Sequence, residues 1–103
     1  MFEAIKKLFG ARPKADLGKL IAEGAQIIDV RTPGEYASGH IKGSVNIPLT
    51  TLESRLGKLK KDRPVIICCA TGMRSRSAAT MLKSKGFRQV YNGGSWLNLK
   101  KYE

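Results

Sequence analysis

Apolar positions along this chain fall into two kinds of run. In the first they recur every three or four residues. Leu17, Leu20 and Ile21 do so between Ala15 and Glu23, and Gly24 follows as a stop. Leu52, Leu56 and Leu59 do so in a segment that Thr50 or Thr51 can cap, and Ala78, Ala79, Met81 and Leu82 do so from Ser75 to Lys85, before Gly86. This recurrence puts one apolar face on each of three helices. In the second kind the run is short and continuous: Gln26–Val30, Ser44–Ile47, Val65–Cys68 and Gln89–Tyr91. A strand that is apolar throughout belongs in a sheet covered on both sides. Strands alternating with helices imply crossover units, so the pattern predicts an α/β domain with a mostly parallel central sheet of about five short strands and helices on both faces.

Between these runs the punctuation is specific. Thr32–Gly34 reads as a turn from its Pro-Gly pair, with one helical turn over Glu35–Ser38 and a glycine-bounded loop at Gly39–Gly43. Asn92-Gly93-Gly94 reads as a turn, and Ser95 can cap a last helix to Leu99 in which Trp96 packs inward. Met1, Phe2, Ile5, Leu8 and Phe9 share one helical face, so residues 1–13 are expected to be an amphipathic segment with a connector, and residues 14–103 the domain. That segment carries Glu3, Lys6 and Lys7 where a signal peptide needs an apolar stretch.

Composition narrows the function classes. A length of 103 residues fits one domain, and 42% apolar with 26% charged residues fits a soluble one. No apolar run has a membrane-spanning length of about 20 residues. The net charge of +11 admits nucleic acid, an anionic membrane surface or small anionic substrates as partners. The basic residues are dispersed and the aromatics are not interleaved with them, so no nucleic acid is expected. Two adjacent cysteines are a poor disulfide pair and, with one histidine, too few for a zinc site. Reduced thiols in a cytoplasmic protein are expected.

Candidate chemistry gathers in Val65–Arg76. An apolar strand runs into Cys68 and Cys69, a short loop follows, and a helix begins near Ser75. A thiol delivered to a loop beneath a helix N-terminus meets backbone N–H groups and the positive end of the helix dipole, which favour thiolate. The loop Ala70, Thr71, Gly72, Met73, Arg74 and Ser75 can cradle an anion, with Arg74 as its guanidinium fork and Ser75 as helix cap. Side chains alternate along a strand, so the two thiols should point to opposite faces. Cys68 to Arg74 is Cys-x5-Arg, whereas Cys69 to Arg74 spans six residues. The first spacing resembles that of cysteine-dependent phosphatases and arsenate reductases, which leaves an oxyanion enzyme using Cys68 as an alternative.

The order of several pieces resembles the rhodanese family. Ile28-Asp29-Val30-Arg31, Glu35, Gly39-His40-Ile41, Gly43 and Asn46-Ile47-Pro48 look like its N-terminal half. Val65-Ile66-Ile67, Cys69, Gly72, Arg74-Ser75 and Ala78-Ala79 look like its active-site loop and helix, and Gly86-Phe87, Val90-Tyr91, Gly93-Gly94 and Trp96 like its end. Residues 14–99 carry the likeness. It implies a rhodanese-like, single-domain sulfurtransferase that needs no metal or organic cofactor, with Cys69 as nucleophile and Cys68 buried behind it. A small anionic sulfur donor such as thiosulfate, and a thiol, cyanide or protein acceptor, are implied as partners, with the chain acting as a monomer. Ala70 departs from the basic or polar residue usual after the nucleophile, and Met73 adds an apolar wall. Asp29, Arg31, Glu35 and His40 are expected to support the loop, His40 as a hydrogen-bonded residue rather than a base. A non-catalytic rhodanese-like binding module is the remaining alternative.

Overall fold

The computed structural model describes residues 15–103; the expected amphipathic segment at residues 1–13 lies outside them. The elements are α1 (Leu17–Ala22), β1 (Gln26–Asp29), α2 (Pro33–Ala37), β2 (Val45–Asn46) and α3 (Leu49–Leu52), which continues into a 3-10 segment at Glu53–Lys58. β3 (Val65–Cys69), α4 (Met73–Ser84), β4 (Val90–Ser95) and a 3-10 segment at Trp96–Tyr102 complete the chain. Four strands pair in the order β2-β1-β3-β4, and every pairing is parallel. About five strands were expected; among the described residues each strand-like run is already used.

β3 lies inside the sheet with all five residues buried. Its side chains alternate as the pleat requires. Val65, Ile67 and Cys69 join a core with Val30, Ile47, Leu52, Ala78, Leu82 and Phe87, under α3 and α4. Ile66 and Cys68 join Ile27, Ile41 and Leu99 on the other side, covered by Leu17, Leu20 and Ile21 of α1 and by Trp96 and Tyr102. Helices therefore cover both faces.

Three local readings change. Pro33-Gly34 opens α2 rather than making a turn: Thr32 caps it, taking the Glu35 N–H at 3.3 Å while the Glu35 carboxylate takes the Thr32 N–H at 3.0 Å. Proline is well suited to a first helical position because its missing N–H had no helical partner there. α3 begins at Leu49, ahead of both threonines, and its continuation bends at Arg55. Asn92-Gly93-Gly94 stays in β4, where Ile67 pairs with Asn92 but Cys68 pairs with Gly94. Gly93 is the extra residue of a bulge. A Cβ there would lie 3.1 Å from Ile66 Cγ2 and 3.2 Å from the Ile67 carbonyl.

Candidate active site

In a parallel sheet the useful crevice lies beyond the carboxyl ends of the strands. β1 and β3 are neighbours, with Asp29 opposite Cys68, so their ends deliver Asp29–Arg31 and Cys69 to the same edge of the fold.

Cys69 ends β3, and the chain then turns so that α4 starts above its sulfur. The turn depends on Gly72, the N-cap of α4, whose φ of 99° is costly for any residue with a side chain. Gly72 also packs against β4: a Cβ on it would lie 3.3 Å from Gly94 Cα. With no side chain of its own, Gly72 cannot satisfy the free N–H groups of the first helical turn. The Cys69 sulfur takes that role. It receives the Gly72 N–H at 2.9 Å and the Ser75 N–H at 3.4 Å, and it donates to the Ser75 hydroxyl at 3.5 Å. Ser75 is thus the third residue of α4 and not its cap, and it is fully buried.

These contacts decide the acidity of the two thiols. Both cysteines are fully buried. Burial raises the Cys69 thiol, but the Ser75 hydroxyl and the N–H groups of Ser75, Gly72 and Thr71 outweigh it, leaving the thiol below its ordinary value. Burial also raises Cys68, and the nearby Asp29 carboxylate adds to the effect. Arg31 offsets this only in part, so the Cys68 thiol is pushed up to about 12.

Ser75 is held from the neighbouring strand. Its hydroxyl lies 2.6 Å from Asn92 Oδ1 and 3.0 Å from the Gly72 carbonyl. Asn92 Oδ1 also accepts the Gly94 N–H at 2.8 Å, and its amide donates to the Gly72 carbonyl at 3.3 Å. A serine hydroxyl has one proton. When that proton turns toward a thiolate, Asn92 Oδ1 keeps Gly94 as a donor and is not left unpaired. Asn92 and Gly94 are site residues that sequence reasoning missed, because Asn-Gly-Gly has the local composition of a turn.

The charged residues expected at the site form two ion pairs. Arg31 clasps the fully buried Asp29, with Nη2 at 2.8 Å from Oδ2 and Nε at 3.0 Å from both carboxylate oxygens. Its remaining protons reach the Gly39 carbonyl at 2.6 Å and the Glu35 carbonyl at 3.3 Å, and its plane lies 4.6 Å from the Trp96 ring. Arg31 is therefore a strut under the loop that carries α2. Arg74 faces out from the first turn of α4, where its fork grips Glu35 of α2 in two bonds of 2.7 and 2.9 Å. Arg74 and Thr32 hold the Glu35 carboxyl at about 2, well below its usual range.

The remaining predicted residues stand apart from the sulfur. His40 is exposed, stacks on Tyr36 at 3.8 Å and hydrogen-bonds the Tyr36 carbonyl at 2.8 Å, so it sits beside the loop and not beneath it. The Met73 side chain is 78% exposed and points to solvent rather than walling the site. Ala70 is half-buried and Thr71 exposed. Among the described residues no group of acidic, cysteine and histidine side chains is placed to hold a metal ion, and no helix is long and apolar enough to cross a membrane.

The model of the rhodanese-like domain matches residues 14–97. An uncharacterized protein of Bacillus subtilis, YqhL, is 44% identical over 68 residues, which cover 66% of this chain and 54% of that one. The thiosulfate sulfurtransferase GlpE of Stutzerimonas stutzeri is 39% identical over 69 residues, covering 67% of this chain and 63% of that one. The chain thus spans little more than half the length of these curated relatives. A human single-domain sulfurtransferase, TSTD1, superposes with a TM-score of 0.75 at 30% identity, over 85% of this chain and 92% of that one.

Proposed function

We propose, from the premise that this chain belongs to the rhodanese-like domain family, that it is a sulfurtransferase working through a persulfide on Cys69. The observation that carries the reading is the sulfur of Cys69 lying under the Gly72 and Ser75 N–H groups at the start of α4. Those donors stabilise a thiolate, and they remain available to the anionic persulfide that replaces it.

The chemistry balances without a cofactor. The Cys69 thiolate attacks the outer sulfur of thiosulfate. A sulfur–sulfur bond forms to Cys69 as the bond to the sulfonate sulfur breaks, and sulfite leaves with that electron pair. An acceptor nucleophile, cyanide or a thiolate, then attacks the terminal sulfur and returns the Cys69 thiolate. Sulfite departs as a dianion, and the loop N–H groups and the dipole of α4 favour that charge. Thr71 and Met73, on either side of Gly72 in the loop over the sulfur, are both exposed. We further propose that it acts in the cytoplasm, where thiols stay reduced, and as a monomer.

An oxyanion enzyme using Cys68 has little to rest on. Its thiol is fully buried on the opposite side of the sheet and is pushed up to about 12.

Intact-mass measurement after exposure to thiosulfate tests the reading. One added sulfur is expected in the wild type and in Cys68→Ala, and none in Cys69→Ser. Alanine is preferred at 68 because a serine hydroxyl there is buried among Ile27, Ile41, Ile66 and Leu99. Sulfur addition that follows Cys68 overturns the assignment. A wild type that takes no sulfur from thiosulfate, polysulfide or an alkyl persulfide points to a binding module instead.

A further inference from the structure

The loop over Cys69 supplies backbone donors, but the guanidinium carried by the first turn of α4 is already engaged. Arg74 presents its fork to Glu35 through two bonds, of 2.7 and 2.9 Å. The planar fork matches a carboxylate and a tetrahedral oxyanion equally well, so it cannot serve both at once. Glu35 does not reach Arg74 by chance of a flexible side chain. Its carboxylate is fixed by the Thr32 N–H at 3.0 Å and the Thr32 hydroxyl at 3.1 Å, and its main chain is tied by Arg31 at 3.3 Å. Arg74 and Glu35 are 36% and 37% exposed, so an entering anion can compete for the pair.

We propose that Glu35 sets donor preference by occupying Arg74, so that a dianionic oxyanion donor such as thiosulfate binds only by displacing the Glu35 carboxylate. Donors that carry sulfane sulfur without an oxyanion group, such as alkyl persulfides, need no such exchange and are favoured. Glu35 acts through Arg74 and is a positioning residue. The inference rests on the sulfurtransferase reading for its kinetic consequence, but the competition itself is for anion binding and can be read without turnover. A half-exposed pair is weak, and this bounds the effect.

Glu35→Gln separates charge from structure. Glutamine also completes a capping box, so α2 keeps its cap, while the negative charge facing Arg74 is removed. The expected result is a fall of about three- to tenfold in KM for thiosulfate with kcat within about twofold. Kinetics with an alkyl persulfide should not move. In parallel, sulfate at matched ionic strength should raise the Tm of Glu35→Gln more than that of the wild type, because a bound ligand stabilises the folded state. Thr32→Ala loses the hydroxyl cap and one of the two bonds that fix the carboxylate but keeps its charge facing Arg74, so the proposal expects a smaller KM fall there, whereas a merely structural role of Glu35 predicts an equal one. An unchanged or raised KM for thiosulfate with an equal sulfate shift overturns the proposal, as does a matching KM fall in Thr32→Ala. If the wild type takes up no sulfur from any donor, the sulfurtransferase reading fails, and the sulfate shift alone decides whether Glu35 restrains Arg74.

Discussion

Cys68 and Cys69 are the same residue, adjacent in one strand and equally hidden from solvent, yet their thiols are driven in opposite directions. Burial raises both. What separates them is the direction each side chain points. Cys68 enters a face made of isoleucines and leucine, with Asp29 nearby and no hydrogen-bond donor to its sulfur among the described contacts. Cys69 enters the face where α4 begins, and three N–H groups and a hydroxyl converge there. Burial alone does not make a thiol inert; burial without donors does.

The largest break in this contrast comes from beneath Cys68. Asp29 and Arg31 are 0% and 4% exposed, and removing the carboxylate leaves a guanidinium buried without its partner. Asp29→Asn should lower unfolding free energy by about 3–5 kcal/mol, measured by denaturant unfolding. It should also make Cys68 more acidic, because a carboxylate that raises its thiol is gone and Arg31 remains. A loss below about 1 kcal/mol would mean that Gly39, Glu35 and Trp96 hold Arg31 well enough without Asp29.

Ser75 tests the other side of the comparison. Ser75→Ala removes the hydroxyl but keeps the N–H, so the Cys69 thiol should rise toward its ordinary value. The sign follows from which state the hydroxyl favours: it donates to thiolate, and losing it disfavours the charged form. The rate of persulfide loading against pH should keep its shape with the half-maximum at higher pH, and near neutrality the rate should fall about tenfold. An unshifted profile would leave the backbone N–H groups as the whole cause.

How much of this was legible in the sequence differs from residue to residue. The continuous apolar runs at 26–30 and 65–68 identified buried parallel strands, and period-two alternation in β3 was enough to send the two thiols to opposite faces. Thr32-Pro-Gly-Glu35 also carried its own answer, a capping box with proline at the helix start, but the Pro-Gly pair is equally the composition of a turn. Asn92 was out of reach, since nothing local says that Asn-Gly-Gly continues a strand. Only pairing with β3, with a bulge at Gly93 to absorb the close approach, keeps it in the sheet and turns Asn92 toward Ser75. The partner of Arg74 was hidden for the same kind of reason. Glu35 lies 39 residues away in the chain, and only the crossover that brings α2 beside α4 joins them.

The smallest expected effect sharpens the comparison most. At neutral pH the Cys68 thiol, pushed up to about 12, is uncharged, so it exerts no field on its neighbour. It also shares no hydrogen bond with Cys69, and its side chain packs on the other core. Cys68→Ala should therefore leave the pH profile of Cys69 loading unshifted and its rate within about twofold, while the small void costs roughly 1–2 kcal/mol of stability. Destabilisation without a kinetic change is the signature of a packing residue. A shifted profile would instead mean that the two sulfurs communicate through the strand, and the division of the pair into a carrier and a core residue would no longer hold.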